Sequence, residues 1–596
     1  MTALTESQLV EWNAAQNLWG VHMHEATTQP NDGIPSFAWF SFPPTVTVDI
    51  DEARRLGVDG ELTTIFAHEI GHHVLSPSTR INDLKISQQM ARALAAVSLS
   101  TSVSRAIPHF LSNLWSDLLI NTRVYEMQRA AAGGTEPGML RMWRVLEKEP
   151  TQVLSWWVIM RAYEDLWRLP SGTLCTDEPP AVDVEPIPET GEDLAAELRR
   201  IATRNPKIDA GLIADTVRTF GDDPIRGALR FGMIYAPYVV NNSPKNLPAS
   251  MCGGDADPQP ATGAELDEVF RDARLDEAPR HPLDGDSMPG ESADGGSAGS
   301  STEGNSMGQG YGLAETLALY GDTESAVVMQ AWYMARARPW VKPYTQIAPA
   351  AREQGALPGA LETWAIEDDV DLIDWAATLA NGPRVVPGVT TRTRTWLDDE
   401  VPTTTDSVVV DLYIDSSGSM KSPQQESPAV LAGTILILSV LSGGGRVRVT
   451  SFSGQGQVAG HDRFTGNRDE ALADLLSYYG GGTVFPLDLL ERRYSPAVLA
   501  RSTTPTRRHL VVLSDEGLSS FFGTAQEQYA GVAARVGAVL DTGTLVVIDS
   551  RKTIAPFAKR DGYATEFINT MDDAPAACAA LARRIASYQP EALTHG

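Results

Sequence analysis

Only three cysteines occur in 596 residues, Cys175, Cys252 and Cys578. They are far apart and odd in number, so no disulfide framework is implied. Basic residues are also in short supply: 48 Lys and Arg stand against 76 Asp and Glu, a formal net charge of -28. A chain this acidic lacks the positive surface that phosphate backbones require, and no run of Lys and Arg supplies a local one, so nucleic acid is not the expected partner. Long hydrophobic runs are missing too. The longest uncharged stretch, Ser427 to Gly445, is broken by Pro428, Gly433 and a terminal triple glycine, and its apolar part suits a buried helix better than a bilayer. The first residues, MTALTESQLVEWNAAQ, have neither the basic region nor the apolar core of a secretory signal. These absences together lead us to expect a cytoplasmic protein. The phosphate-binding pattern G-x-x-x-x-G-K-[ST] is absent, so the chain is not itself a P-loop ATPase.

What is present is enough apolar residue, 42%, for globular domains, and too much length for a single core. Residues 251–310 carry 13 acidic and 3 basic side chains, and their second half is dominated by Gly, Ser and acidic residues. Such a composition reads as a flexible acidic linker. Before it the pattern is mostly helical, apart from Thr45 to Ile50, whose period-two alternation predicts a strand with Ser36 to Phe40 as its partner. From about Ser407 onward, short β-branched runs (Val408 to Ile414, Arg446 to Phe452, His509 to Ser514, Thr544 to Asp549) alternate with apolar helical segments. That alternation predicts a parallel sheet covered by helices.

Two constellations carry chemistry. The first is His68-Glu69-Ile70-Gly71-His72 within Asp59 to Leu75. Leu62, Ile65, Phe66, Ile70 and Val74 recur at helical spacing, Asp59 is placed to cap the start, and Pro77 follows the end. His68 and His72 then lie one turn apart on one face and can aim two imidazoles at one ion, with Glu69 beside them as a proton acceptor. An HExxH arises by chance in roughly one chain in a hundred of this composition, so histidines satisfied within a helix remain the alternative. His73 is rotated off the ligand face. Two histidines leave zinc short of a ligand, and the HExxHxxGxxH continuation is absent. Asn113, Asp117 and Asn121, four residues apart amid apolar neighbours, form a polar stripe that needs a partner, or else a solvated helix face; Glu126, Glu25 and His109 are poorer candidates.

HEIGHH followed by NLWSDLLIN resembles the zincin-like metallopeptidase domain found beside von Willebrand factor A domains in bacterial proteins, over about residues 20 to 130. The resemblance implies zinc held by His68, His72 and Asp117, with Glu69 as general base. The predicted strand at Val46 to Ile50, read as edge-like, would align an extended substrate.

The second constellation begins at the end of the strand Val408 to Ile414 with Asp415-Ser416-Ser417-Gly418-Ser419, a D-x-S-x-S sequence. One carboxylate and two hydroxyls on a tight turn at the carboxyl end of a parallel strand suit Mg²⁺. Thr483 on a glycine-rich loop and Asp515 at the end of a later strand complete the set. The five positions in order resemble the metal-ion-dependent adhesion site of the von Willebrand factor A fold, from about Ser407 to Tyr588. The resemblance implies a docking device in which a partner's acidic residue completes the ion's coordination.

The expectation is therefore a multidomain chain. Residues 1–248 form a mainly helical, zincin-like α+β domain with a helical extension, and 249–310 the acidic linker. Residues 311–404 form a helical connection, and 405–596 a doubly wound α/β von Willebrand factor A domain. Proteins of this build resemble partners of MoxR-type AAA+ ATPases, so the expected function is a zinc metallopeptidase that docks such an ATPase or a protein client. The alternative is a non-enzymatic adaptor of that ATPase with an inactive zincin-like domain.

Overall fold

In a computed structural model of the chain, the described residues are 2–30, 36–97, 106–131, 133–147, 153–180, 205–239, 252–255, 259–279, 281–282, 311–341, 357–365, 370–380, 384–397, 407–500, 506–515, 518–524 and 526–588. The chain divides into two units, Met1–Ala335 and Arg336–Gly596. Among the described residues no helix is long and apolar enough to cross a membrane.

The first unit packs helices against one small sheet. Its strands are β1 (Thr2–Ala3), β2 (Thr27–Thr28), β3 (Ala38–Ser41), β4 (Thr45–Val48) and β5 (Cys252–Asp255), in the order β1-β2-β4-β3-β5. The alternating run at Thr45 is thus a strand paired with β3 as expected, in antiparallel fashion, but it is not an edge. It is flanked by β3 on one side and by β2 on the other, where Thr27 and Thr28 pair with Thr47 and Val48. Isolated alternation cannot distinguish these cases, because β2 is two residues long and carries no pattern of its own.

The helices that frame the site are α1 (Glu6–Trp19), α2 (Ile50–Arg55), α3 (Leu62–Val74), α4 (Arg80–Val97), α5 (Ala106–Ala131), α6 (Gly138–Leu146) and α7 (Leu154–Leu166). A Thr5–Gln8 capping box starts α1 and left-handed Gly20 ends it. Asp59 does not cap α3; it lies in a separate 3₁₀ turn, Asp59–Glu61, and the helix begins after Glu61 without a side-chain cap. Tertiary packing holds α3 instead. Thr64 to His72 are all buried, Trp12 of α1 meets Phe66 edge-on, and the Trp19 indole N–H donates to the Ala67 carbonyl at 2.7 Å. Gly71 permits the closest approach: a Cβ there would overlap Ile120 of α5 and crowd Trp19. The glycine inside HEIGHH is therefore a helix-contact residue.

Composition misled the linker reading over its first half. β5 extends the sheet, and Gly263–Val269 is a helix capped by Thr262, with Leu266, Val269 and Leu275 buried. Several of the acidic residues there are ion-pair partners rather than lone solvated charges. Glu265 meets Arg80 at 2.8 Å, Asp272 meets Lys85 at 3.1 Å, and Glu277 meets Arg226 at 2.6 Å. The unit continues through the helix Leu313–Leu319 and most of the helix Ser325–Ala337 to its boundary at Ala335. The Gly/Ser-rich stretch 283–310 lies outside the described residues.

The second unit contains an antiparallel pair, β6 (Leu357–Thr363) and β7 (Arg392–Leu397), and a six-stranded sheet. The latter comprises β8 (Ser407–Asp415), β9 (Arg446–Phe452), β10 (Val458–Ala459), β11 (Thr506–Ser514), β12 (Thr542–Val547) and β13 (Ala564–Phe567), ordered β10-β9-β8-β11-β12-β13. All pairings are parallel except that of the short edge strand β10. In chain order this is 3-2-1-4-5-6, a doubly wound α/β sheet whose order reverses between β8 and β11. The apolar stretch at Ala429 forms the helix Pro428–Ser442, buried along most of its length as its composition required. Asp411 and Arg448 form a bidentate pair between β8 and β9 at 2.5 and 3.0 Å, both side chains nearly inaccessible. Pairing is what makes two charges tolerable in that interior.

Candidate metal centre

His68 and His72 project from the buried face of α3, and Asp117 reaches them from α5. Their ligand atoms form a nearly equilateral triangle. The two Nε2 atoms are 3.2 Å apart, and Asp117 Oδ1 is 3.4 Å from each. Tetrahedral coordination at about 2.0–2.1 Å gives ligand–ligand edges of about 3.3–3.4 Å. Among the described residues this is the one group of three such side chains whose ligand atoms converge.

Hydrogen bonding at the far side of each ring fixes which nitrogen carries the proton. His68 Nδ1 faces Asn121 Oδ1 at 2.7 Å, and Asn121 Nδ2 in turn donates to the Tyr163 hydroxyl at 2.8 Å, so the amide oxygen is the acceptor. His72 Nδ1 faces the Ser76 carbonyl at 3.1 Å. Both rings therefore donate from Nδ1 and present bare Nε2 lone pairs inward. Asp117 Oδ1 is buried and receives no well-aligned hydrogen bond. Lone pairs converging on one point repel one another, and either a proton on one imidazole or a shared cation removes the conflict.

Electrostatics without a cation reflect that conflict. Burial alone would depress His68, but the Asp117 carboxylate overrides it and raises the imidazole to about 9. His72 falls to about 4, mainly through burial and also through the neighbouring His68. Burial works against Asp117's charge, yet the two imidazoles hold its pKa below the ordinary value. Glu69 is fully buried on the same helix and close enough to act electrostatically on His68.

Around this core, Phe40 of β3 stacks on His72 with ring centroids 4.3 Å apart. His73 turns away and bonds the Thr45 carbonyl at 3.2 Å, so it ties α3 to the sheet, as its rotation off the ligand face suggested. Of the polar stripe, Asp117 completes the triangle and Asn121 orients His68. The roles of Ser76, Tyr163 and Phe40 were not legible in the sequence, because each acts across a tertiary contact.

In the second unit, β8 ends at Asp415 beside β11, where the sheet order reverses. Asp415 Oδ1 accepts from the Ser417 amide at 2.8 Å, and Oδ2 accepts from the Ser514 hydroxyl at 2.6 Å. The Ser417 and Ser419 hydroxyls are 3.2 Å apart. Backbone bonds lock the glycine loop onto this turn: Gly480 N–H to Ser416 O at 2.9 Å and Gly418 N–H to Gly481 O at 2.8 Å. A Cβ at Gly418 would crowd the Gly480 carbonyl at 2.9 Å, so this approach needs glycine. Thr483 follows that loop directly, and Asp515 follows Ser514. Asp515 Oδ1 is buried without a hydrogen-bond partner. Asp415 is raised above the ordinary carboxylate range, by burial first and by the charge of Asp515 among further causes. Two adjacent carboxylates, hydroxyl oxygens and an orphan oxygen form a donor set suited to a hard cation.

No family model matches the sequence, and no curated protein matches it. Solved structures that match include the pilus adhesin SpaC from Lactobacillus rhamnosus GG, 16% identical, covering 31% of this chain and 31% of that one, with a TM-score of 0.24. Three N-terminal domains of the type V pili tip protein Mfa5 from Porphyromonas gingivalis match at 20% identity over 18% of this chain and 20% of that one, TM-score 0.15. An aerotolerance-related membrane protein from Bacteroides fragilis, carrying multiple mutations to serines, matches at 15% identity over 30% of this chain and 100% of that one, TM-score 0.22. The chain spans about a third of the SpaC structure's length and a fifth of the Mfa5 structure's. At these scores the likenesses name neither a fold nor an activity for this chain.

Proposed function

We propose that the first unit is a zincin-like, zinc-dependent peptide hydrolase and the second a von Willebrand factor A domain that docks a partner through Mg²⁺. The observation that carries the first part is the convergence of His68 Nε2, His72 Nε2 and Asp117 Oδ1, with buried Glu69 beside them. A zinc ion held by these three residues supplies a Lewis acid for the scissile carbonyl. Glu69 takes the proton of the attacking water and returns it to the leaving amine. Asn121 and Ser76 keep both imidazoles in the Nδ1–H form, and the Phe40 ring shields His72 from solvent.

In the second unit, Asp415, Ser417, Ser419, Thr483 and Asp515 hold Mg²⁺ and leave a position for a partner's carboxylate. The partner we propose, on the resemblance above, is a MoxR-type AAA+ ATPase or its protein client.

One observation favours the second reading, an adaptor without peptidase activity. The open side of β3, the strand that carries Phe40, is already filled by the chain's own β5, and β4 is flanked on both sides. An extended peptide can pair beside the site only where β5 yields. Hydrolysis of an unfolded protein by the zinc-loaded full chain, alone and with such an ATPase, tests the proposal against Glu69→Gln. The variant keeps zinc and loses cleavage if the enzyme reading holds. A zinc-loaded wild type that cleaves nothing under either condition leaves the adaptor.

A further inference from the structure

Helix α5 has a second face that borders a cavity. Asp117 and Asn121 point to the metal centre, while Leu119, Thr122, Arg123 and Glu126, about 140–240° around the helix from Asp117, line a separate cavity of about 320 Å³. Arg129, Arg168 and Arg218 also line it, as does Asp222. Four arginines lining one cavity is a marked concentration in a chain with so few cations.

Those arginines are poorly matched by the protein. Arg218 is held by Asp165 at 2.8 Å and Asp215 at 3.0 Å. Among the described residues Arg123 and Arg168 have no ion-pair partner, and Arg129 only overlies the Tyr125 ring at 5.9 Å. Glu126 and Asp222 share the lining, yet among the described residues neither is in ion-pair contact with an arginine. Thr122, 8% exposed, has its hydroxyl buried without a hydrogen-bond partner on the same lining.

The backbone adds an independent sign. Arg168 is the residue just past the end of α7, in the left-handed conformation at φ 55°. Its N–H bonds Asp165 O and the next N–H bonds Glu164 O, the two bonds of a Schellman cap. Glycine is the residue that position ordinarily takes, and a side chain there is strained. An arginine nonetheless occupies it, and that arginine lines the cavity.

We propose that this cavity binds a phosphorylated small molecule. A single carboxylate would leave two of the three unpaired arginines unmatched and a phosphomonoester dianion one, whereas a diphosphate, at about −3, matches all three and offers each a bidentate oxygen pair. The Thr122 hydroxyl supplies a neutral donor, and Glu126 and Asp222 accept from hydroxyl or amine groups on the rest of the ligand. The volume is at the low end for an organic ligand and ample for a diphosphate.

The test is calorimetric titration of the full chain with pyrophosphate, and separately with inorganic phosphate, in the zinc-loaded and chelator-treated states. Saturable binding is expected in both states, tighter for pyrophosphate. Arg123→Ala and Arg168→Gly should each weaken it at least tenfold, and Glu126→Gln should tighten it. Arg168→Gly relieves the strained cap, so its melting temperature should equal or exceed that of wild type, separating lost binding from lost folding. Absence of binding at millimolar pyrophosphate overturns the proposal. So does binding that both arginine variants leave intact, or that disappears with the zinc.

Discussion

Asn121 accepts from His68 Nδ1 at 2.7 Å, and this bond from one turn beyond Asp117 turns the opposite ring nitrogen toward the Asp117 carboxylate. One helix thus supplies both a candidate ligand and the group that orients another. Asn121→Ala should lower zinc affinity about 10–100-fold, the usual effect of losing such a partner. Asp117→Ala should lower it more, since it removes a ligand and its charge. Competition with a chelating dye orders the two; equal losses would mean that Asp117 is not a ligand.

Gly71→Ala tests the approach of α3 to α5. Alanine raises helix propensity by about 1 kcal/mol, but the added methyl collides with Ile120, and overpacking costs typically about 1–3 kcal/mol. The collision should prevail and also move Asp117 away from the histidines. Denaturant unfolding should show reduced stability, and metal titration reduced affinity. A more stable variant with unchanged affinity would contradict the packing argument.

β5 bears on activity under the enzyme reading. Gly254→Pro removes an N–H from the strand beside β3 and should loosen it. Peptide cleavage by the zinc-loaded chain should rise several-fold while zinc content stays constant. Unchanged cleavage would mean that β5 does not stand in the substrate's way.

At Asp415 the charged oxygen is removed by Asp415→Ala, and hydroxyls alone do not replace it. Mg²⁺ binding to the full chain, followed by calorimetry, should be lost while zinc remains. Partner binding that is identical in Mg²⁺ and in EDTA, and unaffected by this substitution, would make the turn a structural element only.

Stability of the second unit should depend on pH through His509, which burial lowers to about 4. The unfolded chain binds a proton near 6.5 that the folded unit refuses, so this stability is full above 6.5 and is lost as pH falls toward 4. By pH 5 the loss is about 2 kcal/mol. Urea unfolding of wild type and His509→Asn, compared at pH 7.5 and 5, should show the wild type losing that much more. Parallel losses would place the imidazole in a more solvated setting.

Periodicity and local turn chemistry made much legible from the chain alone. His68 and His72 share a helix face by spacing, Asp117 stands out as a carboxylate in an apolar helix, and the β-branched runs after Ser407 mark a helix-covered sheet. Each signal lies within a few residues, where backbone geometry alone decides which side chains are neighbours. Tertiary structure decided the rest. Whether Asp117 met the histidines depended on Gly71 admitting Ile120. Strand β4 became interior because two residues near Thr27 paired with it, and acidic residues 265–277 folded because Arg80, Lys85 and Arg226 were there to meet them. The arginine cavity gathers residues from positions 75 to 222. Contacts across such separations leave no local pattern, because they exist only once packing has brought the segments together.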